Sequence, residues 1–133
     1  MPAAVPGSYL LLVRLRRGAR FAAGRLPERR YPAGWYVYAG SAMSGLRSRL
    51  ERYLRPGRKR HWHIDFILDR GDAVAAWIAV GREPLECRFA AALASDLERV
   101  PRFGASDCRC PGHLLYAPRK KTVLAALRAL AGG

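Results

Sequence analysis

Two tyrosines, one arginine and one glutamate carry the chemistry this sequence offers. Tyr9 ends the triplet Gly7-Ser8-Tyr9 at the head of an apolar run, and Tyr38 opens the triplet Tyr38-Ala39-Gly40 at the end of another. Arg49 stands eleven positions beyond Tyr38, and Glu86 opens a later stretch, Glu86-Cys87-Arg88. A guanidinium fork contacts two phosphate oxygens at once and stays charged. A single carboxylate holds a hard divalent cation weakly and leaves most of its positions to water and phosphate. A phenol, with a pKa of about 10, accepts a proton near neutrality only beside a cation, for which Arg49 is the candidate. Cutting a phosphodiester asks for this set: an activated nucleophile, neutralised charge on the phosphorane, a stabilised leaving oxygen and a chain held in line. Each residue also has a plainer use. Tyrosines pack in strands, arginines snorkel along apolar surface, and a glutamate at a helix start favours the helix dipole. Arg47 competes with Arg49 for the phosphate, and Glu83 and Glu98 compete with Glu86.

Further polar groups lie around this set. Gly40 is a strand-ending glycine at which a β-carbon would crowd a substrate or a tyrosine ring. Arg58-Lys59-Arg60 form a basic loop suited to tracking a phosphate backbone. His61, His63 and Asp65 fall on one face if that stretch is extended. His63 would then polarise a water or hold a phosphate, or else serve as a structural histidine bonded to a carboxylate. Cys108-Arg109-Cys110-Pro111-Gly112-His113 reads C-x-C-x2-H. With Cys87 it offers four ligands for a closed Cys3His zinc site, although the spacing is tighter than the usual C-x2-C. Packed thiols and a loop histidine are the alternative, and Asp107 with His113 could instead rim a cleft.

These groups must be positioned by a small fold. A chain of 133 residues fits one domain, 1–133, and the 50% hydrophobic fraction is ordinary for a globular core. Residues 8–16 and Trp35–Gly40 read as strands, with Ala19–Leu26 as a weaker strand between them. The expected sheet is three-stranded and antiparallel. Leu46, Leu50, Tyr53 and Leu54 recur at helical spacing within residues 44–55, and Pro56-Gly57 stops that helix. Residues 73–80 read as a buried strand, about 84–98 as a helix, 99–113 as irregular and cysteine-bearing, and about 120–130 as a closing helix. The fold class is therefore α+β, a small sheet flanked by helices with a loop-rich C-terminal part.

Composition narrows the partners. There are 24 Lys plus Arg against 10 Asp plus Glu, a net charge of +14. Such an excess points to a polyanion, with nucleic acid ahead of a membrane surface. A general bias towards arginine is the rival explanation, since only three of the 24 are lysine. No apolar run approaches the roughly 20 residues that span a bilayer, and residues 1–13 lack the basic leader of a secretory signal. Three cysteines make no disulfide framework, so a cytoplasmic setting is expected.

The order of these elements resembles the GIY-YIG nuclease superfamily, with Gly7-Ser8-Tyr9 for the first triplet and Tyr38-Ala39-Gly40 for the second. Both middle isoleucines are replaced. The segments YVYAGSA, HWHIDFIL, ECRFAAAL and SDCRCPGHLLY, over most of residues 7–117, are similar to the DUF123 branch. That branch occurs alone or attached to an endonuclease III-like DNA glycosylase. The resemblance implies a Mg²⁺- or Mn²⁺-dependent endonuclease acting on DNA in a repair setting. It makes Tyr38 the general base, Tyr9 its orienting partner, Arg49 the phosphate clamp and Glu86 the metal ligand. A nucleic-acid-binding module that kept the fold and lost the reaction would look the same in sequence.

Overall fold

The structure, a computed structural model, describes residues 4–55, 57, 59–60, 62–105 and 109–132. Strands β1 (Gly7–Leu15), β2 (Ala19–Phe21), β3 (Arg29–Tyr31) and β4 (Gly34–Ala42) precede helices α1 (Leu46–Leu54) and α2 (His63–Leu68). Strand β5 (Asp72–Val80), helix α3 (Glu86–Leu93), strands β6 (Glu98–Val100) and β7 (Leu114–Ala117) and helix α4 (Lys120–Gly132) follow. The architecture is α+β, as the sequence reading has it, but the main sheet is not three-stranded. It has five antiparallel strands in the order β5-β1-β4-β7-β6. The weak segment after Gly18 stays out of it, because β2 pairs with β3 in a separate ribbon.

Strand β1 is apolar on nearly every residue because both faces of the sheet are covered. Tyr9, Leu11, Val13 and Leu15 join Tyr36 and Tyr38 in a core beneath α1, α2 and the ribbon. Leu10, Leu12, Val37 and Ala39 point the other way and pack with Ala90 and Leu93 of α3 and Val123, Ala126 and Leu127 of α4. Tyr9 pairs with Gly40 and Leu11 with Tyr38 across the β1–β4 ladder, which puts both tyrosines on one face.

Three further expectations change. Residues 73–80 do form a strand, yet β5 is the sheet edge, with Ile78 57% and Val80 66% exposed. An apolar run gives strand character but does not say which neighbours cover it. Residues 63–68 are helical, so the extended alternation expected from His63 to Asp65 does not occur. Asp65 accepts the Trp62 N–H at 2.8 Å and so caps the start of that helix. Of residues 99–113, expected to be irregular, Arg99 and Val100 belong to β6, and β7 begins just after that stretch at Leu114. Helix α1 ends at Arg55, which is extended, as a residue before proline tends to be. Pro56 itself lies outside the described residues. No helix among the described residues is long and apolar enough to cross a membrane.

Candidate active site

The site sits where the sheet is incomplete. Strand β7 pairs with β4 only from Trp35 to Tyr38, and one further bond runs from the Ala39 N–H to the His113 carbonyl. Beyond that point β4 continues to Ala42 with no strand beside this edge among the described residues. The two side-chain layers, kept apart elsewhere by the sheet, meet around this free edge. Tyr38, Gly40, Ser41, Arg49, Trp62, Glu86, Gly104 and His113 line the resulting cavity of about 150 Å³. Arg49 enters from α1 on one side of the sheet and Glu86 from α3 on the other.

Each wall is fixed by its own contacts. The Arg49 guanidinium donates to the Ser41 carbonyl at 3.2 Å and lies 4.2 Å over the Trp62 ring. Burial acts to lower the pKa of this guanidinium, while Tyr9 and Tyr53 lie close enough to raise it. Opposite it, the Ser41 hydroxyl donates to a Glu86 carboxylate oxygen. Ser41 Oγ lies 2.8 Å from Ser8 Oγ, and Ser8 in turn accepts the Leu85 N–H at 2.9 Å. The two serines therefore pin the start of α3 to the sheet. Ser8 is fully buried, which gives the central position of the first triplet a polar task.

Tyr9 does not line the cavity. It lies fully buried behind Arg49, with its hydroxyl 2.5 Å from that of Tyr53. Gly40 does not end its strand, which runs on to Ala42. It faces Tyr9 across the ladder, and a β-carbon there would overlap the Tyr9 ring. Gly104, with φ of +73°, is equally constrained, because a β-carbon would come within 2.8 Å of the Tyr38 ring.

The electrostatics hold both tyrosines neutral. Burial is the main cause of raising the Tyr38 phenol well above its ordinary range, and nearby Tyr53, Asp65 and Glu86 act in the same direction. Arg49 opposes this without overcoming it. Burial, with Tyr53 and Tyr38, pushes Tyr9 still further up. As it stands, Tyr38 is a neutral phenol and not a phenolate.

The remaining candidates separate clearly. Arg47 points to solvent and pairs with Glu51 at 2.8 Å, so the site takes Arg49 and not its rival. Lys59 and Arg60 are exposed, and Arg60 pairs with Asp69 at 2.5 Å. His63 is only partly buried and accepts the Gly104 N–H on Nδ1 at 2.8 Å; it does not line the cavity. Glu83 pairs with Arg88 on the surface, and Glu98 belongs to β6 instead of a helix. Cys87, Cys110 and His113 gather in space. Arg58, His61, Asp107 and Cys108 lie outside the described residues.

Sequence reasoning missed Ser41, Trp62, Gly104 and the Ser8 hydroxyl. Ser8 and Ser41 carried one signal, a serine in each of two otherwise apolar or aromatic strands. Trp62 and Gly104 carried none, since their place depends on long-range packing.

A Mg²⁺ or Mn²⁺ ion is compatible with this cavity. Glu86 would supply a hard carboxylate oxygen beside the Ser41 hydroxyl, and the polar space in front of them is large enough for water or phosphate as further ligands. No curated protein and no solved structure matches the chain. The family model described as domain of unknown function DUF123 matches residues 8–132, and the chain belongs to that family.

Proposed function

We propose that the protein is a divalent-metal-dependent endonuclease of the GIY-YIG type, hydrolysing nucleic-acid phosphodiesters, with DNA as substrate. The observation that supports this most is the meeting of Arg49 and Glu86, from opposite layers of the fold, in one polar cavity beside Tyr38. The net charge of +14 supports a polyanionic substrate, with Arg55, Lys59 and Arg60 exposed beyond the end of α1.

In this reading the Arg49 fork binds two non-bridging oxygens of the scissile phosphate and stabilises the charge that builds on them. Tyr9 and Tyr53 act behind it as positioning residues, their hydroxyls bonded to each other beside the guanidinium they influence. Glu86 is the protein ligand for Mg²⁺ or Mn²⁺, and Ser41 orients its carboxylate. A bound ion would neutralise charge on the phosphorane and on the leaving oxygen. Tyr38 directs the attacking water by hydrogen bonding. For it to take the proton it needs positive charge beyond that of Arg49, since burial otherwise keeps the phenol protonated. The resemblance adds a DNA-repair setting and a glycosylase of the endonuclease III type as partner.

Two observations favour a second reading, a binding module without turnover. Tyr38 is held neutral and Glu86 is already engaged by Ser41. The deciding experiment is incubation of labelled duplex, single-stranded, flap and abasic DNA with Mg²⁺ or Mn²⁺, comparing the wild type with Glu86→Ala. Metal-dependent cleavage lost in the variant is the expected result. Binding without cleavage on every substrate and in either metal replaces the nuclease reading with the binding module.

A further inference from the structure

Cys87, Cys110 and His113 take no part in the chemistry proposed above, yet they converge beside it. Cys87 follows Glu86 on α3, and the other two belong to the connection between β6 and β7. Their ligand atoms all lie within 4.8 Å of one another, and Cys87 Sγ is 3.3 Å from His113 Nε2. Two thiols and an imidazole are soft and borderline donors, matched to zinc and poorly matched to Mg²⁺.

We propose that Cys87, Cys110 and His113 form a zinc site that ties α3 to the β6–β7 connection. Around a tetrahedral zinc ion, with bonds of about 2.3 Å to sulfur and about 2.0 Å to nitrogen, neighbouring ligand atoms stand roughly 3.3 to 3.8 Å apart. The Cys87–His113 pair is already close to that separation, and Cys110 Sγ lies within 4.8 Å of both. The surroundings are those of a metal site. His113 hydrogen-bonds the Gly104 backbone, an outer contact of the kind that fixes the orientation of a ligating ring. The Arg102 guanidinium donates to the Cys110 carbonyl at 3.0 Å and brings positive charge beside the thiol pair. Cys108, on the same connection, lies outside the described residues.

The consequence reaches the cavity, because Glu86 and His113 are two of its walls. A zinc ion bonded to Cys87 and His113 sets the distance between those walls. It therefore acts as a positioning brace for Glu86, while Glu86 and Ser41 keep a separate, oxygen-based site. The zinc site does not rest on the nuclease reading and stands if no cleavage is found.

The test is a metal titration of the full chain, purified with chelator and reductant and then exchanged into metal-free buffer. Titration with Co²⁺ is expected to saturate at one equivalent, with the visible absorption of tetrahedral cobalt and a thiolate-to-cobalt charge-transfer band. One equivalent of Zn²⁺ should displace it, and excess Mg²⁺ should not. Cys87→Ser and Cys110→Ser should each weaken the charge-transfer band and lower zinc affinity by about tenfold or more. Cys110→His, which keeps a ligand at that position, should retain tetrahedral cobalt with a weaker band. Glu86→Ala should leave the titration unchanged. A wild-type chain that takes up no Co²⁺, an unaltered spectrum in Cys87→Ser/Cys110→Ser, or loss of the signal in Glu86→Ala would overturn the assignment.

Discussion

Arg52 clamps Asp65 through both of its terminal nitrogens, at 2.8 and 2.9 Å, and the carboxylate it holds is fully buried. The clamp joins α1 to α2 and leaves the neighbouring Arg49 to face the cavity. Arg52→Ala takes the bidentate cationic partner from a buried carboxylate that also accepts the Trp62 N–H. A loss of about 3 kcal/mol in unfolding free energy is expected, measured by urea titration at pH 7. A loss under about 1 kcal/mol, the size of a surface pair, would show that Asp65 is better hydrated than its burial indicates.

Gly40→Ala is expected to destabilise the chain by about 1–3 kcal/mol, because the new methyl group must displace the buried Tyr9 ring. The cost should be non-additive with Tyr9→Leu, which removes the ring and opens the space. A double-mutant cycle with no coupling between the two positions would contradict this packing.

Arg49→Ala and Arg47→Ala form a matched pair one helical half-turn apart. Arg49 lines the cavity and Arg47 faces solvent. Under the proposed chemistry, Arg49→Ala should lower the cleavage rate by about a hundredfold or more, the usual effect of losing a donor aimed at developing charge. Arg47→Ala should leave that rate within a few-fold, and both variants should still bind DNA in a salt-sensitive way. Equal cleavage by folded Arg49→Ala would remove Arg49 from the mechanism.

His63 makes stability fall in acid. Burial holds its imidazole below the usual value of 6.5, and Nδ1 must stay unprotonated to accept the Gly104 N–H. As the pH drops below about 6.5, the unfolded chain takes up the proton before the folded chain does, so protonation favours unfolding. The contribution of His63 is complete above that pH and is lost as the pH falls towards the lowered native value. Unfolding free energies from pH 8 to pH 5 should show this decline in the wild type and a shallower one in His63→Asn. Identical slopes would rule the effect out.

What was legible in the sequence follows from how local each signal is. Gly7–Leu15 and Gly34–Ala42 announce themselves as strands because both of their faces are covered, and Leu46, Leu50 and Tyr53 announce α1 by their spacing. The size of the sheet was hidden. Strand β5 joins β1 through pairs 58 (Arg14–Asp72) to 73 (Gly7–Val80) residues apart, and β7 has only four residues to show a pattern. Helix α2 is six residues long, too short for a periodic signal to outweigh the alternation of His63 and Asp65. In the site, Tyr38, Arg49 and Glu86 could be nominated by residue type and order. That Tyr9 withdraws behind Arg49, and that Ser8 is there for its hydroxyl, depends on which strands pair and in what register.

Under the proposed chemistry, the short reach of β7 along β4 separates the reactive groups from the opening that would admit a substrate. The reactive side chains could be kept and the cavity still abolished by lengthening β7 by four residues ahead of Leu114, since the longer strand would zip along the free edge of β4 up to Ala42. In this fold, insertions and deletions at one loop control access, while substitutions control chemistry. The two can therefore drift independently, and a chain with every reactive side chain in place can be silenced by its loop length alone.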